Sequence, residues 1–287
     1  MQKQLSKWWV RFLLILIPVT FIMYLGSFFP FGFLASTIVL TLLLTIFSLF
    51  IQSIRAGSNY SLFGLQFDRF TIIDITKGFL IVISSNLIFI ALGLLFGYEF
   101  EIHENFESYN FKVLAFYSVF IFIMAFKEEL IFRGILFQSL RDRFGDVVSI
   151  VLMSVIFSFA HFGNPDISMV AAINIVLAGV VLSIMYITTE SLWLPISFHF
   201  FWNLNQQVIL GSDVSGLSFD IEIFKLTAVN SEMSWLFGGA FGTEEGLLTT
   251  IIITLLCFIS FKINKKNPFI MATKFKVNYE ESKILES

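Results

Sequence analysis

Along this chain, long apolar runs alternate with short polar ones. A bilayer core of about 30 Å takes about 20 mostly apolar residues of helix. Runs of that kind stand at 8–29, 33–52, 78–97, 113–137, 147–162, 169–188, 192–210 and 247–263. The pattern therefore predicts eight membrane helices. The fourth counts as a span only if it runs through KEELIFRG (127–134) into Ile135, Leu136 and Phe137. The fifth is short and stops at Asn164–Pro165, a good helix terminator. Residues 57–70 mix aromatic and charged positions and suit an interfacial segment. Residues 211–246, with Gly and Ser scattered through them, read as a long exterior loop, partly ordered as a cap. No internal repeat or low-complexity tract divides the chain. The expectation is one all-α, polytopic membrane helical bundle over 1–287, with core helices at 113–210 and a tail at 264–287.

Composition agrees with that pattern. Apolar residues make up 57% of the 287 and charged residues 14%, with a mean hydropathy of +0.85. A soluble domain carries about a quarter charged residues. The basic start MQKQLSKWWVRF leads into more than twenty apolar residues with no small-residue cleavage site after them, so it reads as an uncleaved first helix. Cys257, the one cysteine, has no disulfide partner within the chain and reads as a small core residue. With the N-terminus in the cytoplasm, sixteen of the eighteen Lys and Arg residues fall on the inner side, and only Lys112 and Lys225 fall outside. That asymmetry follows the positive-inside rule and, with eight spans, puts both termini in the cytoplasm. The abundance of Phe, Ile and Lys fits a bacterial plasma membrane protein. Expected partners are the lipid bilayer and a membrane-associated protein or peptide. Nothing points to nucleic acid, and the oligomeric state is not legible.

An ionisable residue inside a span costs roughly 2.5–3.5 kcal/mol on insertion scales, so each asks for a reason. Glu129 and Arg133 are four apart and share a helix face, with the acid toward the N-terminus, the favourable order for an ion pair. Glu128 is turned about 100° away, and its i+4 neighbour is Phe132, so helix geometry leaves it no local partner. Lys127 snorkels to the interface in this reading. The bland alternative is a solvated helix end. Farther on, His161 follows Phe157 by one turn, and His199 and Asn203 share one face of the seventh span. Taken singly, such residues are structural glue between helices. Counting about 1.5 Å per residue from the cytoplasmic ends, Glu128, His199 and Asn203 come out roughly 10–17 Å deep and His161 nearer 20 Å. A carboxylate, two imidazoles and a carboxamide at one depth can activate water and hold an oxyanion, as amide hydrolysis requires. His103, in the exterior stretch EFEIHENFE, is assigned nothing.

These motifs, in this order and on separate helices, resemble those of the CPBP family of intramembrane metalloproteases, which includes CAAX prenyl endopeptidases and bacteriocin-immunity relatives. The family pattern EExxxR, FxxxH, HxxxN/D stands here as Glu128-Glu129…Arg133, Phe157…His161 and His199…Asn203. Gly134, the LFQSLRDRFG run, Trp193, Pro195 and LFGLQF add to the likeness, which covers about residues 120–205. The resemblance implies a CAAX-protease-like fold and an intramembrane endopeptidase acting on a membrane-associated protein or peptide. It makes Glu128 the base that activates water with help from His161. It makes His199 and Asn203 the oxyanion holders, supported by Glu129, Arg133 and Phe157. Two cofactor readings stay open: a divalent metal such as zinc on Glu129, His161 and His199, or a glutamate–histidine pair acting without metal. Two other readings compete with the enzyme. One is a non-catalytic bacteriocin-immunity or signalling-regulator protein that uses the same fold for binding. The other is a proton-coupled transporter, weakened by the lack of repeats.

Overall fold

The computed structural model describes residues 7–26, 37–39, 41–43, 45–47, 50, 64–102, 111–219, 221–228 and 233–266. The long helices are α1 (Trp8–Gly26), α2 (Thr71–Leu95), α3 (Phe111–Glu129), α4 (Phe137–Phe159), α5 (Met169–Thr189) and α6 (Trp193–Ile209). A short α7 (Ser234–Phe237) precedes the last long helix, α8 (Leu247–Lys266). Half of the second predicted span, all of residues 57–63, His103 and the tail beyond 266 lie outside the described residues. The remaining spans appear as helices, some of whose ends lie up to ten residues from the apolar runs, and the fourth continues from α3 into a π-helical segment. For example, α2 begins at Thr71, not at 78, because Thr71 and Asp74 are buried and extend the helix.

The count of eight spans is not reproduced. Among the described residues, only α2 and α5 are long and apolar enough to cross a membrane by length and composition. Helix α3 carries Lys112, Lys127 and Glu128, α4 has a charged first half, and α6 is 17 residues long. The outward faces are nonetheless apolar. Ile72, Leu80, Leu87 and Leu95 on α2 and Val119 on α3 are all more than half exposed. Apolar residues on both the inner and outer sides of a helix are the mark of burial in lipid.

Helices approach closely where glycine removes a side chain. A Cβ at Gly78 of α2 would lie 2.7 Å from the Phe198 backbone nitrogen of α6, and beside it Ser197 Oγ donates to the Ile75 carbonyl at 2.7 Å. A Cβ at Gly179 of α5 would lie 2.8 Å from Ser154 Cα of α4. Between α3 and α4 the chain winds as a π-helical segment, Leu130–Leu136, broken at Gly134 (φ −71°, ψ −118°). Such wide turns rotate the side chains that follow and recur at functional sites. Gly145 (φ +77°) breaks the charged start of α4 from its apolar remainder. Helix α5 ends at Glu190 in the left-handed region (φ 50°), where Arg141 Nη1 holds its carboxylate at 2.8 Å. The buried Arg11 of α1 pairs with Asp142 in the same polar layer.

The fold is helical as expected, with one two-stranded ribbon that the expectation did not include. Strands β1 (Tyr98–Ile102) and β2 (Phe224–Ala228) pair antiparallel, with Tyr98 opposite Ala228 and Ile102 opposite Phe224. YEFEI and FKLTA are short alternating segments, and the long connection after α6 brings the second back over the first. This ribbon ties the loop 211–246 to the end of α2.

Candidate active site

The site begins where α3 turns into the π segment. Glu129 and Arg133, both essentially fully buried, form the ion pair expected from their spacing: Arg133 Nη1 donates to Glu129 Oε1 at 2.9 Å. The guanidinium is held twice more, by the Gly179 carbonyl (3.3 Å) and by the Phe157 ring, whose centroid is 4.5 Å away. An unpaired buried charge is costly, whereas a paired, hydrogen-bonded and cation–π-stacked one is tolerated. Glu129 has a further partner that spacing along one helix does not reveal. His199 Nδ1 on α6 lies 2.8 Å from the same Oε1.

Glu128, one residue earlier, points at both histidines. Its Oε2 is 3.9 Å from His161 Nε2 and 3.8 Å from His199 Nε2. These separations are too long for direct hydrogen bonds. Each gap is wide enough for a single water bonded at about 2.8 Å on each side. The other ring nitrogens are already bonded. His161 Nδ1 faces the Phe157 carbonyl at 2.8 Å, and a carbonyl only accepts, so Nδ1 carries the hydrogen. His199 Nδ1 likewise donates to a carboxylate. With each Nδ1 already bonded, Nε2 of each ring is the atom turned toward Glu128. Phe157 stacks edge-on against His161 at 4.8 Å, as the one-turn spacing suggested.

Asn203, one turn beyond His199 on α6, is buried and faces a small cavity of about 30 Å³, room for a water or two. His161, His199 and Phe157 line the same cavity. Glu128 does not; it meets the imidazoles from α3. Sequence reasoning missed three further lining residues with polar groups: Trp202, Ser215 and Glu244. Ser215 and Glu244 come from the loop 211–246.

Residues 110–205 match the family model of the type II CAAX prenyl endopeptidases, Rce1-like. The matched segment holds every motif residue, from Glu128 to Asn203, and spans 96 of the 287 residues. The likeness read from the three motifs is thus borne out for that segment. At the level of the Rce1-like match, the chain is similar to membrane proteases acting on membrane-associated peptides or proteins. Neither the curated proteins nor the solved structures returned a match. Ser215 and Glu244 lie beyond the matched segment.

Of the zinc set raised by the sequence, Glu129 with His161 and His199, the Oε1 of Glu129 already accepts from Arg133 and from Nδ1 of His199, and Nε2 of His199 faces Glu128. Among the described residues no group of three His, Cys, Asp or Glu is arranged as a metal site.

Proposed function

We propose that the protein is an intramembrane endopeptidase that hydrolyses a peptide bond in a membrane-associated protein or peptide, using water activated by Glu128 and His161. One observation carries the reading: a carboxylate oxygen lies 3.8–3.9 Å from the Nε2 atoms of two histidines whose Nδ1 atoms are already hydrogen-bonded, all partly shielded from solvent. A water in that gap donates one hydrogen to Glu128 and the other to His161 Nε2, and turns an oxygen lone pair toward a scissile carbonyl. Its attack passes one proton to Glu128 and forms a tetrahedral oxyanion.

His199 and Asn203 are the donors for that oxyanion. To donate through Nε2, His199 must carry both ring protons. Its setting suits an imidazolium, with Glu129 bonded to Nδ1 and Glu128 facing Nε2. Counting Glu128, Glu129, Arg133 and His199 as charged, the cluster is electrically neutral. Arg133 and Glu129 position the ring and Phe157 packs against it, so all three act through His199 and His161 without touching substrate. As the tetrahedral species collapses, the C–N bond breaks and the departing nitrogen needs a proton. The distribution of Lys and Arg supports a plasma membrane protein with both termini in the cytoplasm, a single membrane domain and a catalytic core over 113–210.

The test uses purified protein in lipid nanodiscs with a pool of hydrophobic peptides, and fragments are read by mass spectrometry. Wild-type protein is expected to cleave members of the pool. Glu128→Ala and His161→Ala are expected to leave them whole. Cleavage by those variants at the wild-type rate refutes the reading.

A further inference from the structure

The cavity beside Asn203 contains a carboxyl group that the motifs do not account for. Glu244 sits on the 3₁₀ turn Thr243–Glu245, just before α8, and lines the cavity with His161, His199 and Asn203. It is fixed rather than dangling. Its backbone carbonyl accepts from Asn174 Nδ2 of α5 at 2.7 Å, and Ser215 Oγ donates to its Oε2 at 2.6 Å.

Its other oxygen, Oε1, lies 3.3 Å from the side-chain amide of Gln206, and the orientation of that amide decides what Glu244 is. Three neighbours set it. Trp202 Nε1–H can only donate, so it requires the carboxamide oxygen. The Asp213 carbonyl can only accept, and the amino group meets it at 3.3 Å and Thr243 Oγ1 at 3.3 Å. The opposite orientation would set the Trp202 donor against an amino group and the Asp213 carbonyl against an oxygen, gaining only the contact to Glu244. The amide therefore presents its oxygen, not its nitrogen, to Glu244 Oε1. The two oxygens lie 3.3 Å apart, and a hydrogen on Glu244 turns this acceptor-to-acceptor contact into a hydrogen bond, since Gln206 has none to give there.

We propose that Glu244 enters the reaction as a protonated carboxylic acid and is the proton donor to the departing nitrogen. This rests on the protease reading and adds the second half of its proton balance. Glu128 and Glu244 stand on different elements, α3 and the 243–245 turn; Glu128 faces the two histidines, and Glu244 lines the cavity that both histidines line. Water attack leaves its proton on Glu128. Collapse of the tetrahedral species breaks the C–N bond, with the electron pair going to nitrogen and the Glu244 proton joining it. The products are a carboxylic acid and an amine, with Glu128 protonated and Glu244 ionised. Proton transfer from Glu128 to Glu244 through water restores the starting state. A carboxylic acid that stays protonated in its site serves as a donor by general acid catalysis. Glu244 lies outside the matched family segment, in the loop 211–246.

Glu244→Gln is the informative variant. A glutamine keeps the shape and its amino group still donates to the Gln206 oxygen, so the loop keeps its contacts, but it has no proton to release. Two substrates are compared: a peptide that the wild-type protein cleaves, and the same sequence ending in a p-nitrophenyl ester at the scissile carbonyl, whose leaving group departs without a proton. Glu244→Gln is expected to slow the peptide by about 10²–10⁴-fold and the ester by less than about tenfold. Glu128→Gln should slow both. Infrared spectra of the resting protein supply a readout that needs no turnover: a protonated-carboxyl band present in the wild type and lost in Glu244→Gln. Equal slowing of peptide and ester, or no lost band, overturns the proposal. Wild-type protein that cleaves neither substrate overturns the protease reading and the donor role with it, while the band still decides whether Glu244 is protonated.

Discussion

Arg133→Met removes the guanidinium and leaves Glu129 as a buried carboxylate. In the wild type that carboxylate accepts from Arg133 Nη1 at 2.9 Å and from His199 Nδ1 at 2.8 Å, with no solvent exposure of its own. The variant retains only the second contact. It also forfeits the guanidinium's bond to the Gly179 carbonyl and its stack on Phe157. Breaking a buried pair by deleting one partner costs about 3–5 kcal/mol. The double variant Glu129→Gln/Arg133→Met removes the stranded charge, and is expected to recover most of that loss. Activity should not return. A neutral glutamine at Nδ1 no longer favours the imidazolium that His199 needs, a loss of about 10–100-fold by analogy with outer-shell partners of metal-bound histidines. The assay is SDS titration in mixed micelles followed by tryptophan fluorescence, with peptide cleavage measured on the same samples. Arg133→Met as stable as the wild type, or a double variant less stable than the single one, refutes the argument.

Four further outcomes are expected. Glu128→Gln should lower peptide cleavage by about 10²–10⁴-fold while leaving the SDS midpoint near the wild-type value, since this residue makes no close hydrogen bond to either histidine. Gly179→Val places atoms 2.8 Å or less from the Ser154 backbone, so α4 and α5 must separate; a loss of about 1–3 kcal/mol should appear in the same titration. Asn174→Ala removes bonds to the Glu244 and Gly246 carbonyls, and should speed tryptic cutting at Lys225 in the loop 211–246. Burial disfavours the Arg141 cation, but Glu190 and Asp146 outweigh it and hold the group above its ordinary range. A group raised in this way contributes below its unfolded value and fades only as pH rises through the folded one. Arg141→Gln should therefore cost the same at pH 6 and pH 9 in the SDS titration.

The sequence carries the parts of this site that obey helix spacing. The Glu129–Arg133 pair, the Phe157–His161 stack and the shared face of His199 and Asn203 are all i,i+4 relations, which an α-helix determines by itself. The surplus of Glu128 was legible for the same reason, because its own helix offers it no partner. Contacts between helices were not legible in that way. That His199 turns Nδ1 to Glu129 and Nε2 to Glu128 depends on how α3 and α6 pack, and on the π segment that follows Glu129. The antiparallel ribbon and the wall formed by Ser215 and Glu244 join residues dozens of positions apart. Their local sequences read only as polar loop. A carboxylate among exterior acids looks solvated until the turn at 243–245 is seen to fold it over the cavity.

The central claim, hydrolysis by water activated at Glu128, is tested most directly by cleavage in H₂¹⁸O. Wild-type protein is expected to place one ¹⁸O in the new C-terminal carboxyl of each fragment, and Glu128→Gln to give no fragments above background. Fragments produced equally by Glu128→Gln, or wild-type fragments without the label, would contradict the account.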